Sequence, residues 1–354
     1  MKTKLKTKIK ETPSKSGVYL FKNQRGKIIY IGKAKNLRQR IKSHFQKKST
    51  DFLNFSPKVV DFDFIITENE KEALFLENEL IKKHQPRYNI ELKDDKNYFY
   101  VVIEKSDWPR VSLTHQPSKL SKKDCKILGP FVSGRELKKY LSNIRKIIPF
   151  RSCRNISKKP CLYYHLGLCP APCLEKIKTS KIKQKQYLLS LVVLEELLKI
   201  YQLRSGRVEM YDISHISGKF MVGAMVVFEK NKPKKSEYRL FKIKTLSQAN
   251  DPKALKEIIS RRLKHQKWKK PNLIILDGGK AQLNSVKSFS LPAIALSKDK
   301  KHQISKILTP FSKKALSVKA LPKETQSFLF QIQEEAHRFA IKYHKLKRKK
   351  SLFA

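Results

Sequence analysis

Between Cys153 and Cys173 the chain reads CRNISKKPCLYYHLGLCPAPC, which sets four thiols at C-x7-C-x7-C-x3-C spacing inside one short basic stretch. Thiols this close together are a natural metal-ligand set; the alternatives are two disulfides or four unrelated small hydrophobic residues. Of the five cysteines only Cys125 lies elsewhere, and nothing in the chain suggests an oxidising compartment, so the stretch is read as a ligand set. Four thiolates suit tetrahedral zinc and an iron–sulfur cluster equally. The x7 spacings match neither the C-x2-C pairs of a zinc knuckle nor the C-x2-C-x2-C run of a ferredoxin, so spacing leaves the metal open. The stretch also divides the chain: the residues before it and after it read as separate nucleic-acid modules.

Lys and Arg number 79 against 30 Asp and Glu, a formal charge of +49 spread from Lys2 to Lys350. Such a field attracts polyanions, and releasing counterions from phosphates gives affinity largely independent of sequence. A chain of 354 residues can hold two or three domains, each with its own core. No apolar run is long enough to cross a bilayer, and the opening MKTKLKTKIK lacks the apolar core of a signal peptide. A cytoplasmic protein with no membrane partner is expected.

In the first hundred residues, β-rich runs at 18–21 and 28–31 flank Asn23-Gln24-Arg25-Gly26, which predicts a hairpin. Asn36 can cap a helix that carries Leu37, Arg40, Ile41 and His44 at helical spacing. Tyr19 and Tyr30 then lie on paired strands with Lys33 and Arg40 close behind. Cations so placed can stabilise a phenolate, which otherwise forms only near pH ~10; packing of two strand tyrosines on lysine stems would explain the same pattern. A strand over 60–67 precedes NEKEALFLENELIKKH, where Ala73, Leu74, Leu76, Leu80 and Ile81 make an apolar helix face with Glu77 in its middle. A carboxylate aimed into a core needs a partner or a cation, and one carboxylate with waters and a phosphate is a common way to hold Mg²⁺. Asn89, soon after the helix, is either a further polar contact or a turn residue.

Residues 98–105 read as a strand, and Leu137, Tyr140, Leu141, Ile144 and Ile148 form a helical stripe leading into the cysteines. Past Cys173 one helix is expected over 183–203. Strands follow at 208–214, 220–228 and 238–243, then a helix over 252–265, then LIILDGG, an apolar strand ending on Asp277. Open α/β sheets place ligands at the carboxyl ends of parallel strands, and the Gly278-Gly279 pair permits close approach of backbone or phosphate. A last amphipathic helix over 324–346 buries Ile332, Ala336, Phe339, Ala340 and Tyr343 and sets His337 at the edge of that stripe. Asp212 and Asp277 on neighbouring strands can share divalent ions, with His337 as a further ligand or proton relay, which is the layout of metal-assisted phosphodiester hydrolysis. Singly, each has an ordinary alternative: a strand end, a Gly-Gly turn, a helix-surface histidine. No pattern of aromatics placed for base stacking is visible, so an RNA-binding module is not expected.

GVY at 17–19 and YIG at 30–32 resemble the signature of GIY-YIG endonucleases. That resemblance implies Tyr30 as general base, Arg40 as the group that steadies the phosphate and Glu77 as metal ligand, with Tyr19, Lys33 and Asn89 as supporting site residues. Gly-Pro-Phe at 129–131, a short helix, four cysteines, and then YDISHISG, LIILDGGKAQL and EEAHRFAIKYH follow in an order that resembles the UvrC family of the bacterial excinuclease over nearly the whole chain. The fold class this implies is α/β (α+β). Its parts are a GIY-YIG domain with a small mixed sheet at 1–100, a linker with a four-cysteine cluster at 101–180, a short helical connector at 181–206, and an RNase H-like mixed sheet with helices at 207–354. It further implies a 4Fe–4S cluster in preference to zinc on Cys153, Cys161, Cys169 and Cys173, and Mg²⁺ or Mn²⁺ at both nuclease sites. In the second site Asp212, Asp277 and His337 would act and hold the metal, with Asp251 as a further acid.

The function implied is a nick on each side of a bulky lesion in double-stranded DNA, 3′ by the first domain and 5′ by the second, made together with the other two excinuclease proteins, UvrA and UvrB. Three departures from the family stand out. The FE-x-A-x-x-x-R-D motif of the UVR hairpin that docks on UvrB has no counterpart, and where relatives read RDEAHRF this chain has Gln333-Glu334-Glu335-Ala336-His337-Arg338-Phe339. The chain stops at Ala354, where the family's helix-hairpin-helix motifs begin, so duplex affinity is expected from the Lys and Arg charge instead. These departures keep two alternatives open: a reduced nuclease independent of UvrA and UvrB, and a catalytically idle DNA-binding scaffold, against which the presence of every named catalytic residue speaks.

Overall fold

Asn23 sets the first turn. Its Oδ1 accepts from the backbone N–H groups of Arg25 and Lys27, each at 3.0 Å, and Gly26 adopts φ +70°, open to a residue without a side chain. Strands β1 (Gly17–Lys22) and β2 (Ile28–Ala34) accordingly pair antiparallel, Tyr19 opposite Gly32 and Phe21 opposite Tyr30, and β3 (Asp61–Ile66) pairs with the other edge of β1. The computed structural model describes residues 3–46, 58–91, 98–121, 123–156, 159–216, 220–243, 250–301 and 303–352. They fall into two compact units, Met1–Asn97 and Tyr98–Ala354.

The sheet of the first unit is small, as expected, but its described strands all pair antiparallel where a mixed sheet is expected. Alternation along β1 sends Tyr19 and Phe21 to one face, where they pack with Leu5 and Ile9 of α1 (Thr3–Glu11) and Leu37 and Ile41 of α2 (Leu37–Gln46). Val18, Leu20 and Ile31 occupy the other face against Ala73 of α3 (Glu70–His84). Both α2 and α3 start on asparagine caps: Asn36 Oδ1 accepts from Gln39 N at 3.0 Å and Asn69 Oδ1 from Glu72 N at 2.9 Å. A short helix α4 (Arg87–Glu91) follows.

The second unit opens with an antiparallel sheet in the order β5–β4–β6, from β4 (Phe99–Glu104), β5 (Val111–Thr114) and β6 (Cys125–Phe131). Helices α5 (Gly134–Arg145), α6 (Leu162–His165), α7 (Glu175–Lys178) and α8 (Lys181–Tyr201) come next. The stretch expected as a connector is therefore a long helix, and Val193, Leu194, Leu197, Leu198 and Ile200 on it are fully buried. One hydrophobic cluster runs from Val101 through α5 and α8 into the following sheet, so α8 belongs to the core of this unit.

That sheet contains β7 (Val208–Ile216), β8 (Phe220–Glu229), β9 (Lys232–Pro233), β10 (Arg239–Lys242), β11 (Leu273–Asp277), β12 (Ala293–Lys298), β13 (Ile304–Leu308) and β14 (Leu316–Ser317), with helices α9 (Asp251–Lys264), α10 (Lys280–Val286) and α11 (Lys323–Leu352). Its order is β10–β8–β7–β11–β12–β13–β14, with β9 on β8. β7, β11 and β12 are mutually parallel and the other pairs antiparallel, which makes the sheet mixed as expected. The central strands are covered on both faces, and so LIIL and AIAL read as unbroken apolar runs. On α11 Ile332, Ala336 and Ala340 are buried and Phe339 is half-buried; the side chain of Tyr343 lies outside the described residues.

Covering both faces of β7 also buries Glu209 completely. It accepts from Arg207 Nε at 2.6 Å, Tyr211 Oη at 2.7 Å and Arg262 Nη2 at 2.8 Å. Removing one partner of such a group leaves an uncompensated buried charge, so Glu209→Ala is expected to destabilise the second unit by about 3–5 kcal/mol. Urea unfolding of the full chain measures this, and a loss below about 1 kcal/mol would contradict it.

Candidate active sites

In the first unit the glycines of both triplets are required by close approach. A β-carbon at Gly32 would stand 2.4 Å from Tyr19 Oη and 3.0 Å from Tyr30 Cε1, and one at Gly17 would stand 2.3 Å from the carbonyl oxygen of Ile65. Gly32 thus leaves room for the two tyrosine rings, whose centroids are 6.2 Å apart, and Gly17 lets β1 approach β3. Tyr19 is buried, Tyr30 half-buried, and Tyr19 Oη lies 2.6 Å from His44 Nε2. Burial above all, then the Tyr30 phenol, pushes Tyr19 well above the usual phenol range, while Arg40 pulls it the other way. Burial and the Arg40 charge hold His44 down at about 4. Near neutral pH both groups are therefore uncharged.

Glu77, 7% exposed on its apolar face, accepts through Oε1 from the backbone N–H of Lys33 at 2.8 Å, which ties α3 to the end of β2. Lys33 Nζ pairs with Glu70 at 2.7 Å. The Asn89 side-chain amide both accepts from and donates to the backbone of Ile31, each at 2.8 Å, pairing with the edge of β2 as a neighbouring strand would. Tyr19, Tyr30, Arg40, Lys33, Glu77 and Asn89 thus all bear on one strand end. His44 joins them, and its only sequence signal is that it follows Arg40 by one helical turn.

Because His44 titrates at about 4 in the fold and near 6.5 in an unfolded chain, the unfolded chain binds more protons between those values. Its contribution is complete above pH 6.5 and is lost as the pH falls through 4, by roughly 3 kcal/mol in all. Urea unfolding at pH 7 and pH ~4.5 should show His44→Gln losing less on acidification than the parent chain; equal losses would contradict this.

The second site follows from register. β7 and β11 run parallel with Tyr211 opposite Leu276, so Asp212 and Asp277 come next, side by side at the carboxyl end. Asp212 is 8% exposed, and burial followed by the Asp277 carboxylate pushes it up to about 7, against the pull of Lys298. Lys298 Nζ, at the end of β12, holds Asp277 Oδ2 at 2.7 Å, while Asp277 Oδ1 is buried with no donor among the described residues. Asp251, the first residue of α9, lines the same pocket together with Gly278, Gly279 and Gln282. Gly278 takes φ +129° and donates to the carbonyl of Leu296, a turn that a side chain would strain. His337 Nδ1 lies 3.9 Å from Asp212 Oδ2 on a side chain 66% exposed, at the rim. The four expected residues are thus brought together; Lys298 and Gln282 are additions.

Two carboxyls within hydrogen-bond reach of each other, one of them raised to about 7, concentrate negative charge of the kind a divalent cation neutralises, and the oxygen donors suit Mg²⁺ or Mn²⁺. In the first unit Glu77 supplies one carboxylate on an otherwise apolar face. Among the described residues no group of three or more His, Cys, Asp or Glu is arranged to hold a metal. All five cysteines are free thiols, Cys153 and Cys161 exposed, Cys169 and Cys173 half-buried. Cys169 Sγ accepts from Ala171 N at 3.4 Å; burial raises its thiol, Arg145 opposes that, and Cys161 and Cys153 are near enough to add repulsion. The donor chemistry is that of a soft metal centre.

Three domain families match the chain: the UvrC-like GIY-YIG domain over 15–90, the UvrC/Cho excinuclease middle domain over 98–186 and the UvrC RNAse H endonuclease domain over 175–341. UvrABC system protein C of Methanococcus maripaludis is 28% identical over 531 aligned positions, covering 97% of this chain and 99% of the relative. The Clostridium novyi protein of the same name is 27% identical, covering 95% of this chain and 88% of its own. Among solved structures, the GIY-YIG N-terminal endonuclease domain of UvrC from Thermotoga maritima, bound to its catalytic magnesium, is 42% identical over 25% of this chain and 99% of that one, with a TM-score of 0.24.

Proposed function

The chain belongs to the UvrC family, and we propose that it is an incision endonuclease of nucleotide excision repair, cutting DNA on both sides of a bulky lesion through two sites. The observation that carries this reading is the Asp212–Asp277 pair, with its buried donorless oxygen, at the carboxyl end of two parallel strands.

In the second unit Asp212, Asp277 and His337 would hold Mg²⁺ or Mn²⁺, with Asp251 as a further acid; the metal when bound acidifies water and neutralises the leaving oxygen. Lys298 fixes Asp277 by one oxygen, and the Gly278-Gly279 turn, packed against Gln282, lines the same pocket. His337, exposed at the rim beside Asp212, would serve either as a metal ligand or as a proton relay. In the first unit Glu77 is the metal ligand and Arg40 balances phosphate charge. Burial keeps the Tyr19 phenol protonated, so of the two tyrosines the half-buried Tyr30 takes the part of general base. Asn89 and the Glu77–Lys33 bond fix the strand that carries Tyr30.

The first unit would make the 3′ cut and the second the 5′ cut. Cys153, Cys161, Cys169 and Cys173 would carry a 4Fe–4S cluster, with zinc as the alternative. Partners would be damaged duplex DNA and the proteins UvrB and UvrA. Since α8 is committed to the core, UvrB would dock on another surface. Among the described residues no helix is long and apolar enough to span a membrane; a cytoplasmic location would follow from the proposed repair role on DNA. Incubating the chain with lesion-bearing duplex, Mg²⁺, UvrA and UvrB tests the reading. Paired nicks abolished by chelation are expected, whereas nicks that do not need the partners would favour the stand-alone nuclease.

A further inference from the structure

The cysteine stretch presents a surface that neither nuclease site uses. Helix α6 is one turn, closed by Gly167 at φ +68°, where the Leu168 N–H reaches back to the Tyr163 carbonyl at 2.7 Å. This tight turn leaves Leu162 70%, Tyr163 46%, Tyr164 36% and Leu166 49% exposed. Single exposed apolar side chains are ordinary, but four within five residues on one helical turn concentrate apolar surface of the kind that marks an interaction site.

Two observations say what covers it. Tyr163 is backed by a fixed cation: the Arg145 guanidinium lies 4.0 Å from its ring centroid. Arg145 is itself buried and anchored, donating to the carbonyls of Leu168 and Phe150 at 2.8 Å each. The ring is therefore held in place with much of its surface open to solvent. The stretch itself is also free of acids and flanked by cations. No Asp or Glu occurs between Arg145 and Leu174, Arg154 and Lys159 are exposed nearby in sequence, and Lys314 donates through Nζ to the Leu166 carbonyl at 3.1 Å. A ligand matching both features carries negative charge at regular intervals and presents flat apolar faces between the charges. Unstacked nucleotides do so, whereas a fully paired duplex hides those faces.

We propose that Leu162, Tyr163, Tyr164 and Leu166 form a stacking platform for unpaired bases of DNA, engaging the strand where a duplex is opened. The inference rests on the reading of the chain as a DNA nuclease and adds a surface that distinguishes opened from intact duplex. Aromatic stacking would supply the discrimination and the basic rim the general affinity.

The test uses the full chain, a fluorescently labelled duplex with a short unpaired bubble, and the same duplex fully paired. Tyr163→Ala combined with Tyr164→Ala is expected to weaken bubble binding by about 10-fold or more, and paired-duplex binding by less than about 3-fold. Tyr163→Phe combined with Tyr164→Phe should restore bubble binding to within about 2-fold of the parent, since stacking survives loss of the hydroxyl. A 2-aminopurine placed in the bubble should be quenched by the unmodified chain, a readout independent of any variant's folding. Equal losses on both DNAs, no loss on the bubble, or an unquenched 2-aminopurine would overturn the proposal. Loss of UvrB binding with DNA binding intact would overturn it in favour of a protein-docking surface. A parent chain that cuts lesion DNA while the variants bind bubbles normally leaves the nuclease reading standing and removes only the platform. A parent chain that neither binds nor cuts DNA removes both.

Discussion

Replacing Asp277 by alanine is expected to slow the 5′ incision by about 10³-fold or more, equivalent to ~4 kcal/mol of transition-state stabilisation, while the 3′ incision continues. The size follows from what the side chain does in the fold. Asp277 provides the buried oxygen without a donor, and it is the largest neighbouring charge acting on Asp212. Without it the Asp212 carboxyl should fall back toward the ordinary carboxylate range, and Lys298 would lose its present partner. The pocket would then favour one ammonium–carboxylate pair over a divalent cation. Because the substitution removes a poorly compensated buried charge, the melting temperature should hold or rise. Functional sites commonly trade stability in this way. Single-turnover rates on a lesion duplex labelled at the 5′ end of the damaged strand, with a thermal melt of the same preparation, read both effects. A slow 5′ cut accompanied by a collapsed melt would point to a structural role for Asp277.

Glu77→Ala should produce the complementary result, slowing the 3′ cut by about 10³-fold with the 5′ cut intact. Alanine also strips the Lys33 N–H of its acceptor, so the companion Glu77→Gln separates charge from position. Glutamine keeps an oxygen that can accept from Lys33 but carries no charge for a cation. If Glu77 is a metal ligand, glutamine is nearly as inactive as alanine, and raising the Mg²⁺ concentration recovers little. A glutamine variant at more than about half the parent rate would assign Glu77 to holding β2 in place.

Much of this architecture can be read from the residues because local chemistry decides it. Asn23 and Gly26 impose the first turn, Asn36 and Asn69 cap their helices, and a carboxylate in the apolar stripe of α3 does lie buried. What cannot be read depends on contacts distant in sequence. Alternation along VEMYDIS puts Glu209 opposite Asp212 and suggests a solvent face, yet β7 is central and Arg262 of α9 closes over that side. The helix expected over 183–203 does form, at Lys181–Tyr201, but that it is part of the core rather than a connector depends on its packing in the second unit's hydrophobic cluster. Lys298 enters the second site only because β12 pairs with β11, and short strands such as β13 and β14 leave little periodic signal. The tyrosines after Cys161 look like filler between thiols until a single turn of helix turns them outward.

The central claim is that one chain carries two independent nuclease sites, and a duplex with one bulky lesion and distinct labels at both ends of the damaged strand tests it most directly. With Mg²⁺, UvrA and UvrB, the parent chain should release the lesion between two cuts. Glu77→Ala should leave only the 5′ cut and Asp277→Ala only the 3′ cut. Loss of both cuts in either well-folded variant, or both cuts persisting in each, would contradict the two-site account.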